Sequence, residues 1–332
     1  QEENRESLIQ KNLFDFMRRL LVKRFESSFG SFRQSIINFK SVTKKVQEFI
    51  VNSDGKYILD RPLLEKIYEA DIDEIEEELA GFEQRISEGT FPKTYKVYNI
   101  NDKEFKLKAR FLADIQSDIA LFDDILDELD SLKLVDKDPK LKKLATEVKT
   151  ILKKKDNPNE PERKVVIFTE YIDTAKYLEA HLENAFPSCC ITVKGDLNKN
   201  KTEEILRNFD TTHKKPEDNY KILITTDKMS EGFNLNRAGA VINYDIPWNP
   251  TRVIQRVGRI NRISKRVFDN LYIYNFFPTL QGATYVRSRE IATEKMFLIH
   301  NTLGEDAKIF EPDEEPSPSQ LFKRIMENPD NM

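Results

Sequence analysis

The densest chemistry in the chain is the run Gln255-Arg256-Val257-Gly258-Arg259-Ile260-Asn261-Arg262. From Arg252 to Arg266 there are five arginines and one lysine, with no acid among them. At helical spacing Arg252, Arg256, Arg259 and partly Arg262 share a side. Like charges so arranged repel one another, and the arrangement calls for a polyanion or an acidic protein face. Arginine rather than lysine favours bidentate contact with phosphate. A solvated basic helix face is the simpler reading. Against it stand Gly258, which costs a helix interior about 1 kcal/mol, and apolar Val257 and Ile260, which tie the helix to a core.

Two further runs precede it. Thr225-Thr226-Asp227-Lys228-Met229-Ser230-Glu231-Gly232-Phe233-Asn234-Leu235 follows the apolar stretch Ile222–Ile224. Small hydroxyl residues at a strand end, followed by a glycine, expose backbone N–H groups to a phosphate or a ribose. Taken alone the run is equally an ordinary strand exit. Tyr244-Asp245-Ile246-Pro247-Trp248-Asn249-Pro250 holds the only tryptophan of the chain, in a proline-bounded loop. That ring either packs or stacks on a base, a contact worth about 1–3 kcal/mol. There is no G-x-x-x-x-G-K-[ST]: the only Gly-Lys, Gly55-Lys56, is followed by Tyr57, which supplies no hydroxyl to Mg²⁺. There is no G-x-G-x-x-G either. Asp127-Glu128-Leu129-Asp130 mimics an acidic metal-binding box but lies in a helical stripe, where a solvated face is the expectation.

These runs need elements to hold them. Val165–Phe168, Ile191–Val193, Ile222–Ile224, Ala240–Ile242 and Leu271–Tyr274 are short apolar runs. Helix-period segments at 173–186, 200–209 and 250–262 separate them. The expected fold is α/β: a parallel sheet covered by helices, preceded by a mainly helical region. Ligand sites in such sheets lie beyond the carboxyl ends of the strands, which directs attention to the loops from Thr169, Lys194, Thr225 and Asp245. Before residue 135 the period is helical. One stripe runs Leu13, Phe16, Met17, Leu20, Leu21, Phe25; a second runs Ile67, Ala70, Ile72, Ile75, Leu79, Phe82; a third runs Phe111, Ile115, Ile119, Phe122, Leu126, Leu129. Thr94–Phe105 alternates around Asn101-Asp102 and reads as a small hairpin or a helix-to-helix connection. The expected domains are a helical region at 1–134, a lobe at 135–310 and an acidic, proline-rich tail at 311–332.

The bulk composition narrows the function. The 332 residues carry 53 Lys+Arg against 57 Asp+Glu, a formal charge of −4, which excludes a uniformly basic nucleic-acid coat but not a local basic site. No apolar run approaches membrane-spanning length. Two neighbouring cysteines, Cys189 and Cys190, exclude a disulfide framework, and three dispersed histidines give no metal spacing. Nothing at the start reads as a signal peptide, so cytoplasm is the expected location. A chain beginning at Gln1 reads as part of a longer protein.

The three runs, in this order, resemble the second RecA-like motor lobe of superfamily-two helicases, and within it the Swi/Snf-type translocases of the bacterial RapA kind. Lys164–Tyr171 looks like motif IV; Val193-Lys194-Gly195-Asp196 through Ile205 to Phe209 like motif IVa; Thr225–Leu235 like motif V; Gln255–Arg262 like motif VI, Q-x-x-G-R-x-x-R. Asn243-Tyr244-Asp245-Ile246-Pro247-Trp248-Asn249-Pro250 is a further match, the helix opening Asp138-Pro139-Lys140-Leu141 resembles the lead-in helix, and Leu20–Ser28 resembles the segment bridging the two lobes. Two positions depart: Ser264-Lys265 stand where the family has Gly-Gln, and Lys201 where it has Arg. Residues 45–130 match no family motif and read as a helical insertion with room for a protein partner.

The resemblance implies an ATP-dependent nucleic-acid helicase or translocase, acting on double-stranded DNA. ATP and Mg²⁺ would be held mainly by an upstream lobe of the same chain, and this stretch alone would not hydrolyse ATP. Arg259 and Arg262 would contact the γ-phosphate, with Arg262 as arginine finger. Gln255, Glu231, Gly232 and Asn234 would border the nucleotide. Thr169, Lys194, Gly195, Thr226, Trp248 and Arg252 would line the nucleic-acid groove. The alternative is a degenerate lobe serving as a docking module without enzymatic activity.

Overall fold

The computed structural model describes residues 21–52, 56–59, 96–99, 101, 108–194, 197–227, 233–247, 250–261 and 267–277. The second helical stripe (67–82) and the tail (311–332) lie outside these residues. The chain divides into two compact units, Gln1–Asp138 and Pro139–Met332.

The first unit is built on two long helices, α1 (Phe29–Asn52) and α2 (Lys108–Ser131). Residues 21–27 are helical as well. In α2, Leu112, Ile119 and Leu126 repeat every seven residues, and so do Ile115, Phe122 and Leu129. In α1, Phe29, Ile36, Thr43 and Ile50 do the same, with Phe32 and Phe39 between them. That is the repeat of a coiled coil, whose seam faces a partner helix. The cross-links keep its register. Arg33 grips Asp130 through both carboxylate oxygens at 3.2 Å, Lys40 pairs with Asp123, and the Gln47 amide donates to Gln116 at 3.0 Å. Each step is seven residues up α1 and seven down α2, so the helices run antiparallel. Phe39 stacks on Phe122 within the seam, and Ile50 packs with Ile115 and Ile119. The third stripe is therefore α2. A small antiparallel pair joins β1 (Lys56–Leu59) and β2 (Lys96–Asn99). The partner seen for Lys96–Asn99 thus comes from far upstream, while residues 102–105, the return arm of a hairpin around Asn101-Asp102, lie outside the described residues.

Among the described residues the second unit is built on a five-stranded parallel sheet. It comprises β3 (Lys164–Phe168), β4 (Cys190–Thr192), β5 (Ile222–Thr225), β6 (Ala238–Asn243) and β7 (Tyr272–Asn275), in the order β4-β5-β3-β6-β7. Its helices among the described residues are α3 (Pro139–Lys153), α4 (Ile172–Ala185), α5 (Lys199–Phe209) and α6 (Pro250–Ile260). The fold class expected from the sequence is the one observed. Every residue of β3, β5 and β6 is buried, as strands covered on both faces require. Right-handed crossovers assign the faces. The chain moves one way from β3 through α4 to β4, and the other way through α5 and α6. On one face Val166, Phe168, Ile191, Leu223 and Val241 form a core with Ile205, Phe209 and Ile260 of α5 and α6. The other face takes α3 and α4, through Leu144, Val148, Ile151, Ala175, Leu178 and Leu182.

The amino end of the sheet is closed by a buried arginine. Arg163 donates to Asp156 and Glu160 at 2.8 Å, to the Asn270 carbonyl at 2.7 Å and to the Lys154 carbonyl at 3.0 Å. A Cβ on Gly239 would meet the Arg163 side chain at 2.9 Å, which accounts for glycine there. Among the described residues, no helix is long and apolar enough to cross a membrane.

Candidate nucleotide and nucleic-acid site

The carboxyl ends of β3, β5 and β6 deliver the site. Phe168 ends β3 and Thr169 follows; Thr225 ends β5 and is followed by Thr226 and Asp227; Asn243 ends β6 and leads to Tyr244 and Asp245. Helix α6 then packs back on β6, burying Val253 and Ile260.

Arg256 is the anchor of this helix. It is fully buried between Val253 and Ile260, on the apolar side. A buried charge must be paired and hydrogen-bonded, and here Nε and Nη1 are, while Nη2 meets no hydrogen-bond partner among the described residues. Its Nε donates to Asp227 Oδ1 at 2.6 Å; its Nη1 donates to Asn243 Oδ1 at 3.0 Å and to the Asp245 carbonyl at 3.1 Å. Its guanidinium lies 5.2 Å from the Phe168 ring centre. Arg252, half-exposed, donates to the other oxygen of Asp227 at 3.1 Å. One carboxylate therefore holds two of the clustered arginines. The sequence asked for a polyanion or an acidic protein face; for Arg252 and Arg256 the chain supplies the acid itself.

A helix turns about 100° per residue. Arg252 and Arg259 thus lie some 40–60° round from Arg256, to the same side, and Gln255 about 100° round. Gln255 and Arg259 are half-buried. The Arg259 carbonyl accepts from the Leu235 backbone N–H at 3.0 Å, joining the end of α6 to the segment that enters β6. Asn234, half-buried, belongs to that same segment. A Cβ built on Gly258 meets nothing within 4 Å, so the glycine leaves that side of the helix open.

A second network lies beside the first. The Thr169 hydroxyl donates to Asp245, whose carboxylate also accepts from the Glu170 backbone N–H at 3.2 Å and from Lys140 at 3.4 Å. Lys140 sits 3.9 Å above the Tyr244 ring. Thr169 is fully buried, so its hydroxyl proton is committed inward. Thr226 is also buried. Lys194, by contrast, is exposed and pairs with Glu179 of α4.

Of the residues named from sequence, the structure brings Arg252, Gln255, Arg259, Asn234, Thr226 and Thr169 to this edge; Lys194 follows β4, at the far end of the strand order. Gly195, Glu231, Gly232, Trp248 and Arg262 lie outside the described residues. The sequence reading passed over Asp227 and Asp245 as partners, and over Arg256 as a buried group. One signal was available: an arginine flanked at helical spacing by Val253 and Ile260 points inward and needs an acid. Among the described residues no group of three or more His, Cys, Asp or Glu side chains is placed to hold a metal ion.

Residues 140–264 match the family described as the helicase conserved C-terminal domain. An uncharacterized ATP-dependent helicase of Bacillus subtilis, YqhH, is 32% identical over 162 residues, which is 48% of this chain and 26% of that protein. A probable ATP-dependent RNA helicase of Methanocaldococcus jannaschii is 37% identical over 67 residues, covering 20% of this chain and 17% of its own length. The solved C-terminal part of the Fun30 ATPase domain aligns over 58% of this chain and 62% of its own, at 18% identity and a TM-score of 0.39. The chain thus spans about a quarter or less of the two curated relatives' length.

Proposed function

We propose that residues 135–310 are the second, RecA-like motor lobe of an ATP-dependent nucleic-acid helicase or translocase. The supporting observation is α6. Its buried Arg256 is held by Asp227 and Asn243, and this fixes the helix at the carboxyl edge of the sheet. Clamping one arginine sets the azimuth of the others, and arginine geometry suits phosphate. Gln255, Asn234 and Arg259 would border ATP, and Arg259 with Arg262 would meet its γ-phosphate. Their charge would stabilise negative charge developing on the transferred group. The donor set fits a polyphosphate. It does not fit Mg²⁺, so no metal-dependent step is assigned to this lobe.

Nucleic acid would be followed largely through its backbone, by contacts that carry little sequence information. Lys194 is exposed for that role. Thr169 and Thr226 would act from within, Thr169 by holding the Asp245 network in place. The Swi/Snf-type resemblance favours duplex DNA as the track.

The test is nucleic-acid-stimulated ATP hydrolysis by the full-length protein, with duplex DNA, single-stranded DNA and RNA compared. The expected result is stimulation that Arg262→Ala lowers by about 10³–10⁵-fold. This chain on its own is expected to show none. Stimulated hydrolysis that Arg262→Ala leaves intact would overturn the motif VI assignment. No hydrolysis with any of the three polymers would favour a docking module.

A further inference from the structure

Helix α3 carries charge that the site described above does not use. Its 15 residues contain five lysines and one glutamate. The glutamate is taken: Glu147 pairs with Lys143 at 2.6 Å. Lys140 is also taken, by Asp245 and the Tyr244 ring. Lys142, Lys149 and Lys153 remain, all exposed, and none has an acid within ion-pair distance among the described residues. At about 100° per residue the three fall within roughly 40° of one another, on a single line along the helix. Leu141, Leu144, Val148 and Ile151 lie on the opposite side, buried against the sheet. The helix therefore presents an outward line of ammonium groups with no counter-charge among the described residues. Lys149 and Lys153 are four residues apart, where like charges destabilise a helix. Overall basicity does not explain the line, since the chain has a net charge of −4.

The position of the line gives it a partner. Lys140 pins the start of α3 to Asp245 and Tyr244, at the carboxyl edge where the candidate site lies. At the other end, Lys154 lies over Tyr272 and its carbonyl accepts from Arg163, at the amino edge. The line thus starts on the turn that Lys140 pins, about 160° round the helix from it, and descends the height of the sheet. From Lys142 to Lys153 it covers about 16 Å, the axial length of about five nucleotides of one strand at 3.4 Å each.

We propose that Lys142, Lys149 and Lys153 form a second contact track for a nucleic-acid phosphate backbone, extending the groove down the outer side of α3. The inference rests on the nucleic-acid reading above. Compact ammonium groups act on phosphate as point charges, so the track adds affinity without sequence preference.

The test is the salt dependence of binding by the full-length protein, read by fluorescence anisotropy with duplex DNA, single-stranded DNA and RNA. The variant is Lys142→Gln/Lys149→Gln/Lys153→Gln. The control, Lys44→Gln/Lys214→Gln/Lys215→Gln, removes three exposed charges elsewhere. Each duplex phosphate contact contributes about 0.9 to the slope of log K against log salt, and each single-strand contact about 0.7. The track variant is expected to lower the slope by about 2–3, the control by none, and arginine at the three positions is expected to restore it. The polymer showing the drop is the one that follows α3. A slope unchanged in the track variant, or lowered equally in the control, overturns the proposal; the unchanged slope would leave the line to an acidic protein. If the wild type binds none of the polymers, the nucleic-acid reading itself fails first.

Discussion

Asp227 decides whether α6 is a helix fixed in one orientation or a basic segment in search of a counter-ion. Removing one partner of a buried pair leaves an uncompensated charge, which typically costs about 3–5 kcal/mol. Asp227→Ala is therefore expected to destabilise the second unit by about that much in urea unfolding. Arg256→Met together with Asp227→Ala should recover most of the loss, because it removes both charges and keeps the volume. A single variant as stable as wild type would mean that Asn243 and the Asp245 carbonyl satisfy Arg256 by themselves. Gly258 makes the opposite case. A methyl group there has open space around it, so Gly258→Ala should raise stability by about 0.5–1 kcal/mol. If that open side is where a phosphate approaches the helix, stimulated ATP hydrolysis will fall as stability rises. A gain in stability with undiminished hydrolysis would show that the glycine faces only solvent. The Asp227–Arg256 pair spans 29 residues of sequence and was not legible as a pair. Local spacing shows which way a side chain points, not what it meets.

The elements were legible where their pattern is local. All five parallel strands and the helices between them follow from continuous apolar runs alternating with helical periods, most plainly for β3, β5 and β6, since a strand covered on both faces has no polar side to hide its signal. β2 was not legible. Its alternation marked a strand, but its partner lies far upstream, and local alternation does not name a partner at such a separation. The antiparallel pairing of α1 with α2 shows the same limit. The stripe of α2 could be read, while its partner emerges only from the bridges Arg33–Asp130, Lys40–Asp123 and Gln47–Gln116. These flank the seam, where charges select register more than they add stability. Lys40→Glu is expected to cost about 0.5–1 kcal/mol, and adding Asp123→Lys should return about half of it. Ile36, inside the seam, should cost about 2–5 kcal/mol as alanine. If Lys40→Glu alone is neutral and the double variant gains nothing, the bridge does not contribute to the register.

Proton linkage acts on the second unit as a whole, because its loops are tied by groups with displaced pKa values. Hydrogen bonds from the Tyr272 hydroxyl and Asn270 hold Asp156 below the ordinary carboxylate range, and a bond from the Tyr220 hydroxyl does the same for Glu204. Burial pushes Glu160 and Asp218 up, but backbone N–H groups around Glu160 and the Lys164 ammonium beside Asp218 bring both below it. A carboxyl depressed in the folded state contributes stability above its unfolded pKa and loses it as the pH falls through the folded value. The acid limb should therefore open near pH 4.5 and steepen below about 4. The alkaline side works in reverse. Burial, with Glu183 nearby, pushes the Cys190 thiol up to about 12. Its contribution is complete below about pH 9 and fades as the unfolded thiol ionises first. Tyr220, Tyr274 and Lys221 are raised too, and fade at still higher pH. Lys164, lowered chiefly by burial, carries its cost at neutral pH and regains stability as it deprotonates, which opposes the alkaline loss. Melting temperature should thus be flat from about pH 5.5 to 8.5, with no maximum centred on the sequence pI of about 5.7. Cys190→Ala should move the alkaline fall upward, from near pH 9 toward 10, and leave the acid limb where it was. An alkaline limb that the substitution does not move would place the loss on the tyrosines and Lys221 instead.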